Sequence, residues 1–507
     1  MTNAFKTYSR ENGGRVLLLF LLFLLAIYQL INSGFNSFAI VCIIPLLVLY
    51  IYVAFKWKMF TFWILITVNY FIQMKDISTS LSIPMSLPNE MLQIVLLAIA
   101  ILDIRQTTHF NRAANMMLFA LLIWCGFCTL EVLNDTCGLG INISAWYSGA
   151  RLMAFQLLYI FLVFSIYIST PEILIRYIKI WGAFALFSAI WTWKQKTIGF
   201  TPVENYWIQN LGAKTHILNA GTLIRYFSTF SDAANYGCNA AATATAFLIF
   251  AITNNIKKYR YLFFIISILV IWGMFQSGTR TGIVCLVAGL MVYVFLSKSI
   301  RIAVPFTIAF VFFAFILIFT NIGGSNQQIR RMRSAFNKDD ASMGVRDMNQ
   351  EVMKKYIQDA PWGIGIGMNP DNVPANNKYR KLATIPPDSE YVFIWLRTGP
   401  IGITIFIITM LIMFGGACWI VLFKLKNKSL IGIGGGLCCA FVAIQLAGYA
   451  NQVLMQFPNC LIFYGGLSIV YILPHIEPAW IELENKQLAE QKEKKRLKLE
   501  KKLASRV

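Results

Sequence analysis

Long apolar blocks, broken by short polar stretches, recur along nearly the whole chain. A bilayer core of roughly 30 Å is crossed by about 20 apolar helical residues. Fourteen segments fit or approach that length: Val16–Ile31, Phe38–Phe55, Met59–Met74, Leu87–Leu102, Asn115–Leu133, Trp146–Ile168, Ile173–Trp193, Tyr236–Ile252, Tyr261–Phe275, Gly282–Leu296, Ile302–Phe319, Ile401–Phe423, Leu430–Ala450 and Cys460–Leu473. Within lipid, segments of this length satisfy their backbone only as helices. The pattern therefore predicts an all-α polytopic integral membrane protein with about 14 transmembrane helices (12–14), interrupted late by one long polar segment. Spans occupy 1–319, with a loop at 194–235; a large loop follows at 320–388, then spans at 389–474 and a tail at 475–507.

Lys and Arg near span ends favour the cytoplasmic side. They gather at Lys6/Arg10/Arg15, Lys56/Lys58, Arg105/Arg112, Arg176/Lys179, Lys257/Lys258/Arg260, Lys298/Arg301, Lys424/Lys426/Lys428 and after Asn485. Fourteen spans put all eight clusters on one face. Both termini are then cytoplasmic, and the protein is expected to be multi-pass in a bacterial cytoplasmic (inner) membrane. Val16–Ile31 has the charged leader of a signal peptide but no small-residue cleavage site, and reads as a retained first helix.

Composition agrees. Of 507 residues, 57% are hydrophobic and 13% charged, against about 25% charged in soluble domains. The net charge of +21 follows from topology and from the tail, where nine Lys/Arg face three Glu after Asn485. No aromatic residues interleave with those bases, so the expected partner is the lipid bilayer and not nucleic acid. Of the ten cysteines, most lie inside apolar blocks as small hydrophobes; Cys125 and Cys128 lack the companions a metal or redox site needs. Neither a cofactor nor a metal is expected.

Two extracytoplasmic segments carry the remaining polar chemistry, 194–235 and 320–388. In the second, VRDMNQEVMKKYIQDA predicts an amphipathic helix with Val345, Met348, Val352 and Tyr356 on one face. Pro361 stops it, and GIGIG follows as a flexible turn. Gly399 and Pro400 predict a break, with Tyr391–Leu396 a half-helix lining a cavity. GIGIG lacks the strand-turn-helix context of a dinucleotide fingerprint, and Asp339 with Asp340 reads as solvated loop acids. Arg225, Arg280 and Arg346, with Asp232, Asp388 and Glu390, all fall on this outer face. Each has an ordinary explanation as a snorkelling side chain, a helix-end anchor or a local ion pair. Together they suit one reaction. Guanidinium groups bind a lipid-linked diphosphate bidentately and stabilise its departure without a metal. A carboxylate or His deprotonates the acceptor hydroxyl; Asp388, Glu390 and His216 are the candidates.

These residues resemble the O-antigen ligase and polymerase family of bacterial membrane glycosyltransferases. The likeness rests on FSTFSDAANYG preceded by Arg225, the SGTRTG turn, a long outer loop with its Arg-led helix, DAPWGIGIG, and a polar re-entry motif before a Gly-rich break. It spans roughly Leu223 to Gly402. It implies an active site at the outer membrane surface, an undecaprenyl-diphosphate-linked glycan donor, a glycan or glycolipid acceptor and no metal, with Arg225, Arg280 and Arg346 as donor contacts. Many members carry His-Asn at the re-entry, where this chain has Asp388-Ser389-Glu390. That departure favours a polymerase, or a carboxylate in the histidine's role. The competing expectation is a flippase for lipid-linked oligosaccharide. Its internal repeats are not visible, and the late, one-sided loops favour an enzyme.

Overall fold

A computed structural model describes residues 13–79, 84–103, 110–211, 216–218, 223–298, 327–333 and 341–504, with scattered positions between 304 and 324. It is 79% helical, and two contact units divide it, Met1–Ile64 and Leu65–Val507. In the first unit, α1 (Gly13–Lys56) is one helix of 44 residues. It joins the first two apolar segments without a turn, although at ~1.5 Å per residue it is twice the hydrocarbon thickness. Helix α2 (Lys58–Phe71) runs across the boundary between the units.

The second unit continues with α3 (Lys75–Ser78), α4 (Ser86–Leu102), α5 (Met116–Leu130), α6 (Ile143–Tyr167), α7 (Pro171–Thr197) and α8 (Pro202–Asn210). A two-residue antiparallel pair, β1 (Ile217–Leu218) and β2 (Leu223–Ile224), is the only sheet among the described residues. Then come α9 (Ala233–Thr253), α10 (Lys257–Gln276), α11 (Arg280–Leu296), α12 (Gln327–Arg333), α13 (Ala341–Ile357) and α14 (Arg380–Thr384). The last are α15 (Glu390–Lys424), α16 (Lys428–Ala450) and α17 (Gly465–Ala504). Among the described residues, eight helices are long and apolar enough to cross a membrane, and α4 and α11 are shorter apolar helices. The segment Ile302–Phe319 lies largely outside the described residues. The all-α membrane architecture expected from the pattern is borne out; the number of spans is not fixed by these helices.

Helix α9 lies at the centre. Its sequence AANYGCNAAATATA is small and nearly continuous in Ala, Gly and Thr, and all but three of its residues are buried. Small side chains let helix backbones approach closely where lipid gives no hydrophobic drive between helices, and α9 packs on α10, α11 and α16.

Two expectations about the large loop need correction. The buried face of α13 is Met353 and Ile357, whose cluster continues through Ala360, Ile364, Leu382 and Leu396. Met348 is 64% exposed, so the packed stripe is rotated from the one expected. GIGIG is no flexible turn either. Ile364 and Ile366 are buried. The Ile364 and Gly365 N–H groups donate to the Leu396 and Arg397 carbonyls, both at 3.0 Å. Those carbonyls end the first part of α15, which breaks at Gly399 (φ 67°, ψ −175°) before Pro400. Proline has no N–H to continue the ladder, so the loop supplies donors that the broken helix lacks. A Cβ on Gly399 would sit 2.1 Å from the Pro361 carbonyl oxygen. The expected break is present, and its partner is the loop's backbone.

Candidate functional site

The outer-side residues fall into two groups. The first is built on the SGTRTG turn. Gly278 takes φ +58° there, and a Cβ on it would touch the side chains of Arg225 (3.4 Å) and Arg331 (3.5 Å). Arg225 Nε donates to the Ser277 carbonyl at 3.4 Å, and its Nη2 to Thr279 Oγ1 at 3.3 Å. Arg331, on α12, donates from Nε to the Gly278 carbonyl at 2.8 Å. Thr279 Oγ1 donates to the Ala233 carbonyl at 2.7 Å. This bond draws the N-terminus of α11, which begins at Arg280, against the N-terminus of α9. Helix N-termini present free N–H groups and positive potential, which suit an anion. A cation at such a position opposes the dipole, and Arg280 stands there, at the start of α11. Burial pushes the Arg225 guanidinium below its ordinary value, Asp232 opposes that shift, and Arg280 adds to it. Arg225, Arg280 and Asp232 are thus near neighbours.

Asp232 caps α9: its Oδ1 accepts from the Ala234 and Asn235 N–H groups at 2.8 and 2.9 Å. Ser231 Oγ lies 2.9 Å from Asp232 Oδ2 and 2.8 Å from Gln456 Oε1, with its one proton shared between these two acceptors. The backbone that carries these residues bends through Ser228, whose φ of 53° is costly for a residue with a Cβ, roughly 1–3 kcal/mol. Gln195 holds it there, accepting from the Ser228 N–H at 3.0 Å and donating to its carbonyl at 3.2 Å.

His216 is buried against Trp207 and Phe227. Its Nε2 accepts from the Ala233 N–H at 3.1 Å, and its carbonyl accepts from the Arg225 N–H at 2.8 Å. The imidazole lone pair is therefore engaged at the α9 N-terminus. It is part of the framework under the arginines.

Two contributors were missed in the sequence. Arg331 sits in QQIRRMR, where nothing distinguishes it from its neighbours. Lys75 follows the third apolar segment and reads as a span-end cation. In the structure Lys75 is buried, its Nζ donates to the Ser231 carbonyl at 2.5 Å, and it lies 3.7 Å above the Trp207 ring. Burial pulls its amine down to about 8, with the Asp232 and Glu204 carboxylates acting the other way. Only its oddity as a basic residue on the side opposite the other clusters could have flagged it.

The second group surrounds the re-entry. Asp388 is exposed and lines a cleft with Asp347, Gln350, Met353, Pro387 and Tyr449. Glu390 is buried, and its Oε2 accepts from the Leu454 N–H at 3.1 Å. The two carboxylates have different surroundings, and Glu390 fixes the loop between α16 and α17. That loop reaches the first group: Asn451 Nδ2 donates to Thr281 Oγ1 at 3.0 Å, and Gln456 accepts from Ser231. Asn459 donates to Asn235 Oδ1 at 2.6 Å. The structure so gathers Arg225, Arg280 and Asp232, adds Arg331 and Lys75, and ties Glu390 to them through the 451–459 loop. Asp388 stands on its own cleft. Arg346 lies on α13, and its side chain is outside the described residues, as are Asp339 and Asp340.

The architecture is that of a polytopic membrane protein with a cationic site at the N-terminal ends of the buried helix α9 and of α11. Residues 265–407 match the family model described as O-antigen ligase. The match supports an O-antigen ligase-like family for this chain, and with it a glycosyltransferase-like role in surface-polysaccharide assembly in a bacterial membrane. It includes Arg280, Arg331, GIGIG, Asp388, Glu390 and the Gly399 break, and stops short of Arg225, Asp232 and His216. No curated protein matches the chain.

Proposed function

We propose that the protein transfers glycan from an undecaprenyl-diphosphate donor at the outer face of the cytoplasmic membrane, to a growing glycan as a polymerase or to a glycolipid as a ligase. The observation that carries this reading is the convergence of Arg225 and Arg331 on the Gly278 turn, with Arg280 next along the chain at the start of α11 and the N-terminus of α9 beside it. A diphosphate leaving group carries dense negative charge. Guanidinium groups and the N-terminus of α11, which has no side-chain cap, match it, and stabilisation counts most where charge develops as the bond to the sugar breaks. Asp388, exposed on its cleft, is the proposed general base that takes the acceptor's hydroxyl proton. Glu390 and Asp232 are proposed to position the 451–459 loop and the α9 N-terminus.

The test is Arg280→Ala at normal membrane abundance, with surface glycans run on a gel beside extracted lipid-linked sugars. Long glycan should vanish and precursor accumulate. Single repeat units on the surface lipid would mark a polymerase, and long chains left on the lipid diphosphate a ligase. Unchanged glycan would remove Arg280 from the site, and precursor trapped on the cytoplasmic face would favour a flippase.

A further inference from the structure

The cleft beside Asp388 is built from α13 on one side and the end of α16 on the other. On α13, Asp347, Gln350 and Met353 stand three residues apart and so share one face. Met353 is buried in the cluster with Leu382 and Leu396, against which Val392 packs. Asp347 remains exposed and Gln350 half-buried. Ser389 Oγ donates to the Gly448 carbonyl at 3.1 Å, which draws the last turn of α16 against the re-entry. The next residue, Tyr449, is therefore anchored by its backbone while its side chain is 76% exposed. It lines this cleft and also borders an apolar groove on α15 and α16.

The cleft offers about 80 Å³, against about 10–15 Å³ for one water. One pyranose ring displaces several waters and fits that space. Such a ring has an apolar C–H face and an edge of hydroxyls that donate and accept. An aromatic side chain meets the face. A carboxylate that accepts and an amide that does both meet the edge.

We propose that this cleft binds the terminal sugar of the acceptor, one pyranose ring with its C–H face on Tyr449 and its hydroxyls on Asp347 and Gln350. The hydroxyl to be glycosylated then faces Asp388. A site built on hydroxyl hydrogen bonds rejects sugars that lack them, so Asp347 and Gln350 set which sugar is accepted. The inference rests on the glycosyl-transfer reading for the role of Asp388, but binding itself needs no turnover.

The test is saturation-transfer NMR on the full-length protein in a sugar-free detergent. The probes are the oligosaccharide freed by mild acid from the cell's own lipid-linked precursor, and the methyl glycosides of glucose, galactose, mannose, rhamnose and N-acetylglucosamine. Saturation should reach the C–H protons of one terminal ring. Tyr449→Ala should weaken binding about tenfold, on the scale of a lost aromatic contact, whereas Tyr449→Phe keeps the ring and should bind as the parent does. Gln350→Ala should weaken binding about fivefold and reorder the preference among the methyl glycosides. If Tyr449→Ala fails to fold, Gln350→Ala decides the matter. In a transfer assay the same losses should appear in the acceptor KM. Arg280→Ala, on the donor side, should stop transfer and leave sugar binding intact. Absence of saturation on every probe, or equal saturation in the parent and in Tyr449→Ala and Gln350→Ala, would overturn the sugar subsite and leave the arginine site standing. A parent that binds sugar at this cleft but transfers none would sink the glycosyl-transfer reading instead.

Discussion

The turn at Ser277–Thr281 and the re-entry at Pro361–Gly399 lie on the same side of the expected topology, yet they are built in opposite ways. At the turn, side chains do the work. Arginines from a loop and from α12 close on one glycine, and Arg280 follows two residues later at a helix start. At the re-entry, backbone does it: the GIGIG amides complete the end of a broken helix. The turn accumulates like charge at helix N-termini, an arrangement that a diphosphate would relieve. The re-entry is packed, with Arg397 buried over the Phe393 ring, and one carboxylate is exposed while its neighbour is buried. Positive charge gathered at one turn points to an anionic ligand, whereas close packing points to the precision with which the neighbouring carboxylates are held.

The strongest way to break this contrast is at the arginines. Removing one preorganised donor from a developing anion typically costs about 10²–10³ in rate, so Arg280→Ala should lose at least that factor in glycan polymerisation or transfer at unchanged abundance. Arg225→Lys should lose about tenfold, since an ammonium keeps the charge but not the paired donors. If Arg225→Lys matched the parent, point charge alone would suffice and the diphosphate geometry would lose its support.

The carboxylates sharpen it next. Asp388→Asn removes the proposed general base and should cost about 10²-fold or more, read as precursor accumulation with normal membrane abundance. Glu390→Gln retains an acceptor for the Leu454 N–H and should cost far less. The reverse order would move the base to Glu390 and leave Asp388 as a cleft-rim acid.

At the break, Gly399→Ala tests packing with no change of charge. The positive φ strains any side chain, and the new Cβ would meet the Pro361 carbonyl at 2.1 Å. A loss of about 2–4 kcal/mol is expected, on the scale of overpacking with backbone strain. It should appear as a lower melting temperature. An unshifted melting temperature would mean that the loop yields, and that the re-entry is not rigid.

How much of this was legible in the sequence differs by region. Apolar block lengths revealed the helices, because lipid imposes the same length on each. Gly399-Pro400 revealed the break, because both residues act locally. The docking of GIGIG on that break was not legible, since backbone amides have no sequence signature for their distant acceptors. Arg225 and Arg280 stood out as ionisable groups at span edges. Arg331 did not, because three arginines in QQIRRMR look alike until α12 is placed over Gly278. Lys75 failed for a similar reason: its burial under Trp207 and its bond to Ser231 come from residues more than a hundred positions away.

Lys75 also gives the turn a pH dependence. Its amine is held at about 8, below its ordinary value. The folded state therefore sheds this proton before the unfolded state does, and stability should rise as pH climbs from about 8 towards the ordinary lysine range. Over the same interval the positive charge beside Asp232 disappears. Activity should fall with a midpoint near 8 while the melting temperature holds or rises. Lys75→Arg, which stays protonated, should shift that alkaline limb upward. A limb unmoved by Lys75→Arg would assign it to another group.

The smallest effect is expected at His216, and it separates the framework reading from a histidine mechanism. The imidazole Nε2 is occupied by the Ala233 N–H, so it has no lone pair for an acceptor hydroxyl unless the α9 N-terminus opens. His216→Gln supplies an amide oxygen for the same N–H and should cost only a few-fold, about 1 kcal/mol for a re-formed hydrogen bond of poorer geometry. Loss of a general base would instead cost about 10²–10⁴-fold. The two readings differ by more than tenfold in one glycan assay. A loss in the larger range, at normal abundance, would return the base to His216 and reduce Asp388 to a neighbour of the reaction.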